Sequence, residues 1–387
     1  MSSKRHIVFL QDLNSHSDRE VCLGAAEYAA GKSDWSFDPW PVPLTLANYP
    51  SRDDLHLADG IFTTEKVSQY LFGERRGDAP RVLFLTDVTH RGVPSVSLDE
   101  TAIGKMAAEH LYSRGYRHLA FIGSSEWRWS KARKQGFVPA IQEKEIVPLI
   151  HEFPLKEVPV FWSWNVKRRN ESLSRLLDSL PKPCGIFAGN DVIACFVIQT
   201  AREKGYRVPE DIGVVGCDDD PVPNAAAGLA ISSVRPDFRE VGRQAARLLD
   251  EILHGKSVPP RVLVPPVCVV VRASTDAFMT EDALVNRAQK FIEEHRHEPL
   301  QVADVIRALG TNRVTLGKRF QRHLDVGLQE YILKRRIEFA RDQLREGKMS
   351  VEKIAEVCGF SSSSYFSRVF KKVARTSPGR IRMKKDS

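Results

Sequence analysis

The chain has 387 residues, 42% of them hydrophobic, and a formal net charge of +8. That length and apolar content suffice for two or three buried cores and exclude a disordered or low-complexity protein. Six cysteines at positions 22, 184, 195, 217, 268 and 358 form no Cys-x-x-Cys and no close pair, which excludes a disulfide framework or zinc ribbon and leaves small buried hydrophobes.

The first predicted strand spans residues 6–11, and polar Gln11-Asp12 end its apolar run too early for a signal peptide or membrane span. A cytoplasmic protein without membrane association is expected. Further strands are predicted at 58–62, 82–85, 118–123, 185–188, 212–216, 229–234 and 267–272. Amphipathic helices are predicted at 19–30, 100–114, 131–141, 170–177, 191–204 and 238–253. This alternation predicts an α/β fold of two doubly wound parallel sheets, with a cleft at the carboxyl ends of their strands. Ser97-Leu-Asp99 and Ala188-Gly-Asn190-Asp191 each open a helix, Arg133-Lys-Gln-Gly136-Phe137 lies within one, and Val208 to Asp219 ends a strand. Together with Val270-Val-Arg-Ala-Ser274-Thr275 these phrases resemble the ligand-binding part of LacI/GalR regulators and periplasmic sugar-binding proteins, over about residues 6–275.

A neutral polyol needs carboxylates and amides as acceptors, arginine as a multiple donor and an aromatic face for its C–H surface. The strand-end set Asn14, Asp99, Arg133, Asn190 and Asp218 supplies the polar groups, and the resemblance implies sugar ligands at these positions. Helix N-capping is the alternative role for Asp99 and Asn190. Trp127 and Trp129 are aromatic candidates with no fixed direction. Asp218-Asp219-Asp220 lacks a phosphate-binding glycine motif, and adjacent carboxylates on a loop cannot all face one ion. Neither these residues nor His295 and His297 are assigned a metal, and no cofactor is expected. With no nucleophile elbow or hydrolase motif, no enzyme is read here. A transport-associated sugar-binding protein is the rival from another class.

The last hundred residues hold one helix-turn-helix pattern twice. Val302 to Leu309, a turn at Gly310 and Val314 to Phe320 form the first copy; Val351 to Cys358, a turn at Gly359 and Tyr365 to Phe370 form the second. Leu316 corresponds to Phe366 and Phe320 to Phe370. Between the copies, residues 328–344 read as one amphipathic helix that sets their separation, so one chain can reach two successive major grooves about 34 Å apart. Residues 281–387 carry 23 Lys and Arg against 14 Asp and Glu, a net of +9, so the first 280 residues net −1 of the total +8. This asymmetry points to an anionic partner.

Ile354-Ala355, Cys358-Gly359-Phe360, Tyr365-Phe366, Phe370-Lys371-Lys372 and Ser377-Pro378 resemble the AraC/XylS family signature. The resemblance covers about residues 283–385 and implies a DNA-binding transcription factor. It places Val314, Gly317 and Lys318 of the first reading helix, and Ser363, Ser364 and Arg368 of the second, toward bases. Arg313, Gln321 and Lys371 fall toward phosphate, or in the case of Arg313 and Gln321 on a solvated face. Lys318 and Arg368 are the best candidates for guanine, whereas Gly317 has no side chain with which to read a base.

LacI/GalR regulators carry their DNA reader at the N-terminus, where none fits here. An effector domain followed by an AraC-type reader resembles the xylose-operon regulators, and that resemblance adds Arg128 to the sugar set. The expected organisation is residues 1–275 as effector domain, 276–283 as linker and 284–387 as all-α DNA-binding domain. The expected partners are operator DNA, a monosaccharide such as D-xylose, L-arabinose or a hexose, a second copy of the chain, and RNA polymerase. The role this resemblance implies is a D-xylose-sensing activator of pentose-utilisation genes, with another monosaccharide or repression as the alternative.

Overall fold

Three- to seven-residue strands, the central ones buried on both faces, organise the first 275 residues. The computed structural model describes residues 4–11, 15–41, 55, 57–72, 79–86, 92–153, 166–280, 282–347, 349–374, 377–379 and 381. Asn14 lies outside them. By internal packing the chain divides into two compact units, Met1–Leu111 with His118–Thr275, and Tyr112–Arg117 with Asp276–Ser387.

The first unit is built in chain order from β1 (Arg5–Gln11), α1 (His16–Ala30), β2 (Trp35–Pro41), β3 (Gly60–Thr63), α2 (Glu65–Phe72), β4 (Arg81–Phe84), β5 (Ser95–Leu98), α3 (Glu100–Ser113), β6 (His118–Ser124), α4 (Arg128–Gln142) and β7 (Leu149–Phe153). It continues through α5 (Val166–Ser179), β8 (Cys184–Ala188), α6 (Asp191–Glu203), β9 (Ile212–Cys217), α7 (Pro221–Ala226), β10 (Ser232–Arg235), α8 (Phe238–Leu253), β11 (Arg261–Val264) and β12 (Cys268–Val270). One sheet has the order β11-β5-β4-β3-β1-β2, all parallel, and the other β12-β10-β9-β8-β6-β7, parallel except for β12. Helices cover both faces of such sheets, so their central strands are continuous apolar runs. Phe9, Phe62 and Phe84 pack at the centre of the first sheet, and Phe121, Phe137 and Phe187 against the second.

The eight predicted strands are present, some displaced by a few residues, and four strands escaped the sequence reading. Strand β2 is an edge strand, where a proline such as Pro39 is tolerated. Strand β5 carries Ser95 and Ser97 into a buried position, β7 is a half-exposed edge, and β11 has exposed residues at an edge. In each case burial and apolar pattern part company. Helix α7 was also missed, because prolines at 221 and 223 read as loop although proline suits a first helical turn.

The second unit consists of α9 (Ala283–Glu294), α10 (Val302–Leu309), α11 (Arg313–Leu324), α12 (Leu328–Glu346), α13 (Val351–Val357) and α14 (Ser363–Ala374), with residues 112–117 packed among them. It has two small cores. Leu328, Tyr331 and Ile332 of α12 close the first over Leu316 and Phe320, and Ile337, Ala340 and Leu344 close the second over Phe366 and Phe370. The long helix thus divides its apolar face between two helix-turn-helix copies. Gly310 and Gly359 make the turns at φ +60° and +70°, a conformation glycine adopts without strain.

Candidate ligand cleft and nucleic-acid interface

Arg133 gathers the strand ends of the first unit. Its Nε donates to Glu100 Oε2 at 2.6 Å, Nη1 to the Gly189 carbonyl at 2.6 Å and Nη2 to Asp218 Oδ1 at 3.2 Å. Glu100 follows β5, Gly189 follows β8 and Asp218 follows β9, so one side chain joins three strand ends. The guanidinium also lies 4.8 Å over the ring of Trp129, which packs 5.0 Å from Trp127. Arg133 is 4% exposed, so these bonds are desolvated and charge-assisted. Helix α4 reaches this position because it crosses α3 at backbone contact: a Cβ on Gly104 would stand 1.8 Å from the Arg133 carbonyl, and one on Gly136 1.9 Å from that of Thr101.

Burial raises Asp218 above the ordinary carboxylate range against the opposing pull of Arg133, and does the same to Glu100. Asp218 stands at φ +106°, outside the usual basins of an L-residue, which aims its carboxylate at Arg133 rather than along the strand. Beneath it Asp191 is 1% exposed and accepts from the Ser233 hydroxyl at 2.7 Å and the Asp220 N–H at 2.9 Å. Its pKa is raised well above the usual value by burial, with the charge of Asp218 adding to the effect.

The predicted set separates by role. Arg133 and Asp218 meet directly. Asp99 caps α3 through Ala102 N–H at 2.9 Å and Asn190 caps α6 through Ile193 N–H at 3.0 Å, and both remain partly exposed. Arg128, with 57% of its side chain exposed, reaches Glu65 at 3.4 Å, from the first turn of α4 to that of α2. The three consecutive aspartates diverge: Asp218 faces Arg133, Asp219 binds Arg235 and Arg272 at 2.6 Å each, and Asp220 caps α7. Among the described residues no group of three or more acidic, His or Cys side chains is placed to hold a metal. Glu100, Glu65 and Asp191 were missed in the sequence. Glu100 had a visible signal, as the second of two adjacent acids at a helix start.

On the reading helices the apolar and polar faces separate cleanly. Leu316, Phe320, Phe366 and Phe370 are fully buried, while Arg313, Val314, Lys318, Gln321, Ser364, Arg368 and Lys371 are exposed and Gly317 and Ser363 partly so. Asn312 caps the first helix through Thr315 N–H at 2.8 Å. Gln321 bonds Asp325 at 3.1 Å, and Arg368 lies 5.3 Å over the ring of Tyr365, an exposed aromatic that was not singled out as a contact. A Cβ on Gly317 would meet nothing within 4 Å.

A periplasmic binding protein-like domain matches residues 108–275 and a helix-turn-helix domain residues 305–384. The xylose operon regulatory protein of Escherichia coli K12 is 30% identical over 99% of this chain and 98% of its own length, and that of Haemophilus influenzae 32% identical over 75% of each. The chain belongs to the xylose operon regulator family. As a member it is a DNA-binding transcriptional regulator with a sugar-sensing domain ahead of its reader. The structure of the xylose-binding transcription activator xylR matches with a TM-score of 0.62 and 27% identity over 98% of both chains. A cellobiose complex of the regulator CelR matches with a TM-score of 0.55 and 20% identity over 71% of this chain and 86% of that one, a likeness of fold alone. Among the described residues no helix is long and apolar enough to cross a membrane.

Proposed function

We propose that this regulator binds D-xylose in the cleft around Arg133 and activates pentose-utilisation genes as a cytoplasmic homodimer that recruits RNA polymerase. The meeting of Glu100, Gly189 and Asp218 on one buried arginine carries the reading, because it presents carboxylate acceptors and a fixed cation at strand ends, where open α/β sheets bind ligands. Sugar hydroxyls accept from the guanidinium and donate to Asp218, while Asp99 and Asn190 offer the capacity their caps leave unused. Arg128 and Glu65 form an exposed bridge from α4 to α2, worth at most about 1 kcal/mol, which a ligand can replace at little cost.

For the sugar to act as a switch it must bind two arrangements of the protein with different affinity. DNA contact then comes from the exposed faces of α11 and α14, with Lys318 and Arg368 on bases, Val314, Ser363 and Ser364 beside them, and Arg313, Gln321 and Lys371 on phosphates. Isothermal titration against D-xylose, L-arabinose and a panel of hexoses, repeated with Asp218→Asn, tests the effector. Saturable D-xylose binding that the variant loses supports the reading. Preference for another monosaccharide reassigns the effector, and binding that survives the substitution unchanged removes Asp218 from the site.

A further inference from the structure

Beside the reading face of α11 the C-terminal unit holds an open basic cavity of about 550 Å³. Asp282 and Arg287 line it from the start of α9, and Arg319, Arg322 and His323 from the second half of α11. Its one carboxylate is already engaged. Asp282 Oδ1 accepts from Leu284 N–H at 2.9 Å, which caps α9, and from Arg319 Nη1 at 3.1 Å. Arg287 and Arg322 are exposed and have neither a hydrogen-bond nor an ion-pair partner among the described residues. Two of the three guanidinium groups around the cavity are therefore uncommitted.

A solvated helix face commonly sets an acid one turn away from each base. Here the residues one turn from Arg287 are Ala283, Leu284, Lys290 and Phe291, and those one turn before Arg322 are Lys318 and Arg319. Asp325, on the far side of Arg322, is bonded by Gln321 at 3.1 Å. The helix dipole accounts for cations in the last turn of α11, but not for Arg287 in the first half of α9. Like charges four residues apart repel, so Lys318 and Arg322 oppose each other until an anion neutralises them. The place of Arg322 indicates which anion. It shares one face of α11 with Lys318, about 6 Å further along the axis, so a duplex whose bases meet Lys318 runs its backbone past Arg322. Arg287 reaches the same cavity from the opposite wall, and a guanidinium fork matches the oxygens of a phosphate.

We propose that this cavity seats one phosphate of the operator backbone between Arg287 and Arg322, at the edge of the groove that α11 enters. The seat rests on the reading that the exposed face of α11 meets DNA, and not on the choice of sugar. Its test is anisotropy titration of the full chain at several salt concentrations, with an operator duplex and a random-sequence duplex of equal length. Arg287→Ala and Arg322→Ala are each expected to weaken both duplexes alike and to reduce the salt slope by about one unit. A second series replaces single phosphates of the operator by uncharged methylphosphonate. One position should reproduce the loss, and on that duplex neither substitution should cost further affinity, as for groups that share one partner.

Unchanged affinity and slope in both variants overturn the seat. If such variants instead lose only transcription by added RNA polymerase, the cavity takes an acidic surface of the polymerase. Weakening confined to the operator, with the slope kept, makes Arg322 a base reader and overturns the seat as well. Losses that persist on every methylphosphonate duplex mean a diffuse basic field rather than a seated phosphate. Lys318→Ala separates the two layers of the argument: if it leaves operator binding intact, the reading of α11 falls and the seat with it. If it weakens binding while Arg287→Ala and Arg322→Ala do not, the seat alone is lost. Both arginines are exposed, so thermal unfolding of their variants should match the native protein, and the readout is binding to a folded chain.

Discussion

In the sugar-sensing domain the charges that matter are buried and tied to one another, whereas on the reading helices they stand in solvent with few protein partners. Arg133 is 4% exposed and holds Glu100, Asp218 and a carbonyl. Lys318 and Arg368 are exposed, with Arg368 lying over the Tyr365 ring. The contrast follows from the ligands. A neutral sugar is distinguished by oriented hydroxyls, so its site gains from fixed, desolvated donors and acceptors. A polyanion supplies its own field, so long basic side chains can wait in water and release counterions on contact. The same substitution should therefore cost stability in one domain and affinity in the other.

The largest effect is expected at Arg133. Replacing it with Met leaves the partly buried Glu100 and Asp218 near each other without a cation, and breaking a buried charge group costs about 3–5 kcal/mol. Urea unfolding of Arg133→Met should show a loss of this size at neutral pH, together with loss of sugar binding. The loss should shrink on acidification, because protonated carboxyl groups no longer need the guanidinium. The sign follows from their raised pKa values: the folded form holds protons that the unfolded form releases, so stability falls as pH rises through the folded pKa. A penalty under about 1 kcal/mol at neutral pH would place Arg133 with exposed pairs and erase the contrast.

Most of this architecture was legible in the sequence, for reasons that also explain what was not. Helix α8 was read at its observed bounds, because every buried position from Phe238 to Leu249 is apolar or small. Leu316, Phe320, Phe366 and Phe370 could be paired by spacing alone, and all four are buried as a repeated motif requires. Arg133 and Asp218 were singled out in the sequence, and the fold brings them together although Arg133 stands inside α4 rather than at a strand end. Glu100 was not, because its importance depends on an arginine 33 positions away, brought near by a helix crossing at Gly104 and Gly136. The packing of residues 112–117 with the C-terminal unit was equally invisible, since Tyr-Ser-Arg-Gly-Tyr-Arg reads as an ordinary helix end and turn.

Next in size are the reader substitutions. Arg368→Ala should weaken binding to the cognate operator by about 1–3 kcal/mol, roughly 5- to 160-fold, and relax preference at one base position. Its unfolding free energy should change by no more than about 0.5 kcal/mol, the usual range for a surface residue. Lys371→Ala should weaken all sequences alike and reduce the salt slope of binding by about one unit. Anisotropy titrations at several salt concentrations, paired with denaturation curves, measure both quantities. A reader variant that loses stability in proportion to affinity would show that the exposed charges also hold the fold.

A smaller effect separates Asp191 from the cleft it supports. Its pKa is raised by burial, so its contribution to stability is fully present below the unfolded carboxylate range and is lost as pH rises through the folded value. Asn at this position has no proton to lose. Its oxygen can accept from the Asp220 N–H while its amide donates to the Ser233 oxygen, whose own proton can turn to the Val234 carbonyl. Asp191→Asn should therefore flatten the decline of stability with rising pH. Parallel curves for the two proteins across the acidic to neutral range would mean that folding leaves the pKa of Asp191 unshifted.

The smallest expected change tests the difference between the two reading helices themselves. Gly317 follows Leu316 as Ser367 follows Phe366, so the first helix lacks a side chain where the second has one. Glycine inside a helix costs about 0.5–1 kcal/mol relative to alanine, and a methyl group at 317 would enter open space. Gly317→Ala should thus stabilise the domain by about that amount in thermal unfolding. If the bare backbone at 317 serves close approach to DNA, the same variant loses operator affinity despite its added stability. Gain in both would show that the first helix sits back from the groove and that base reading is concentrated in the second.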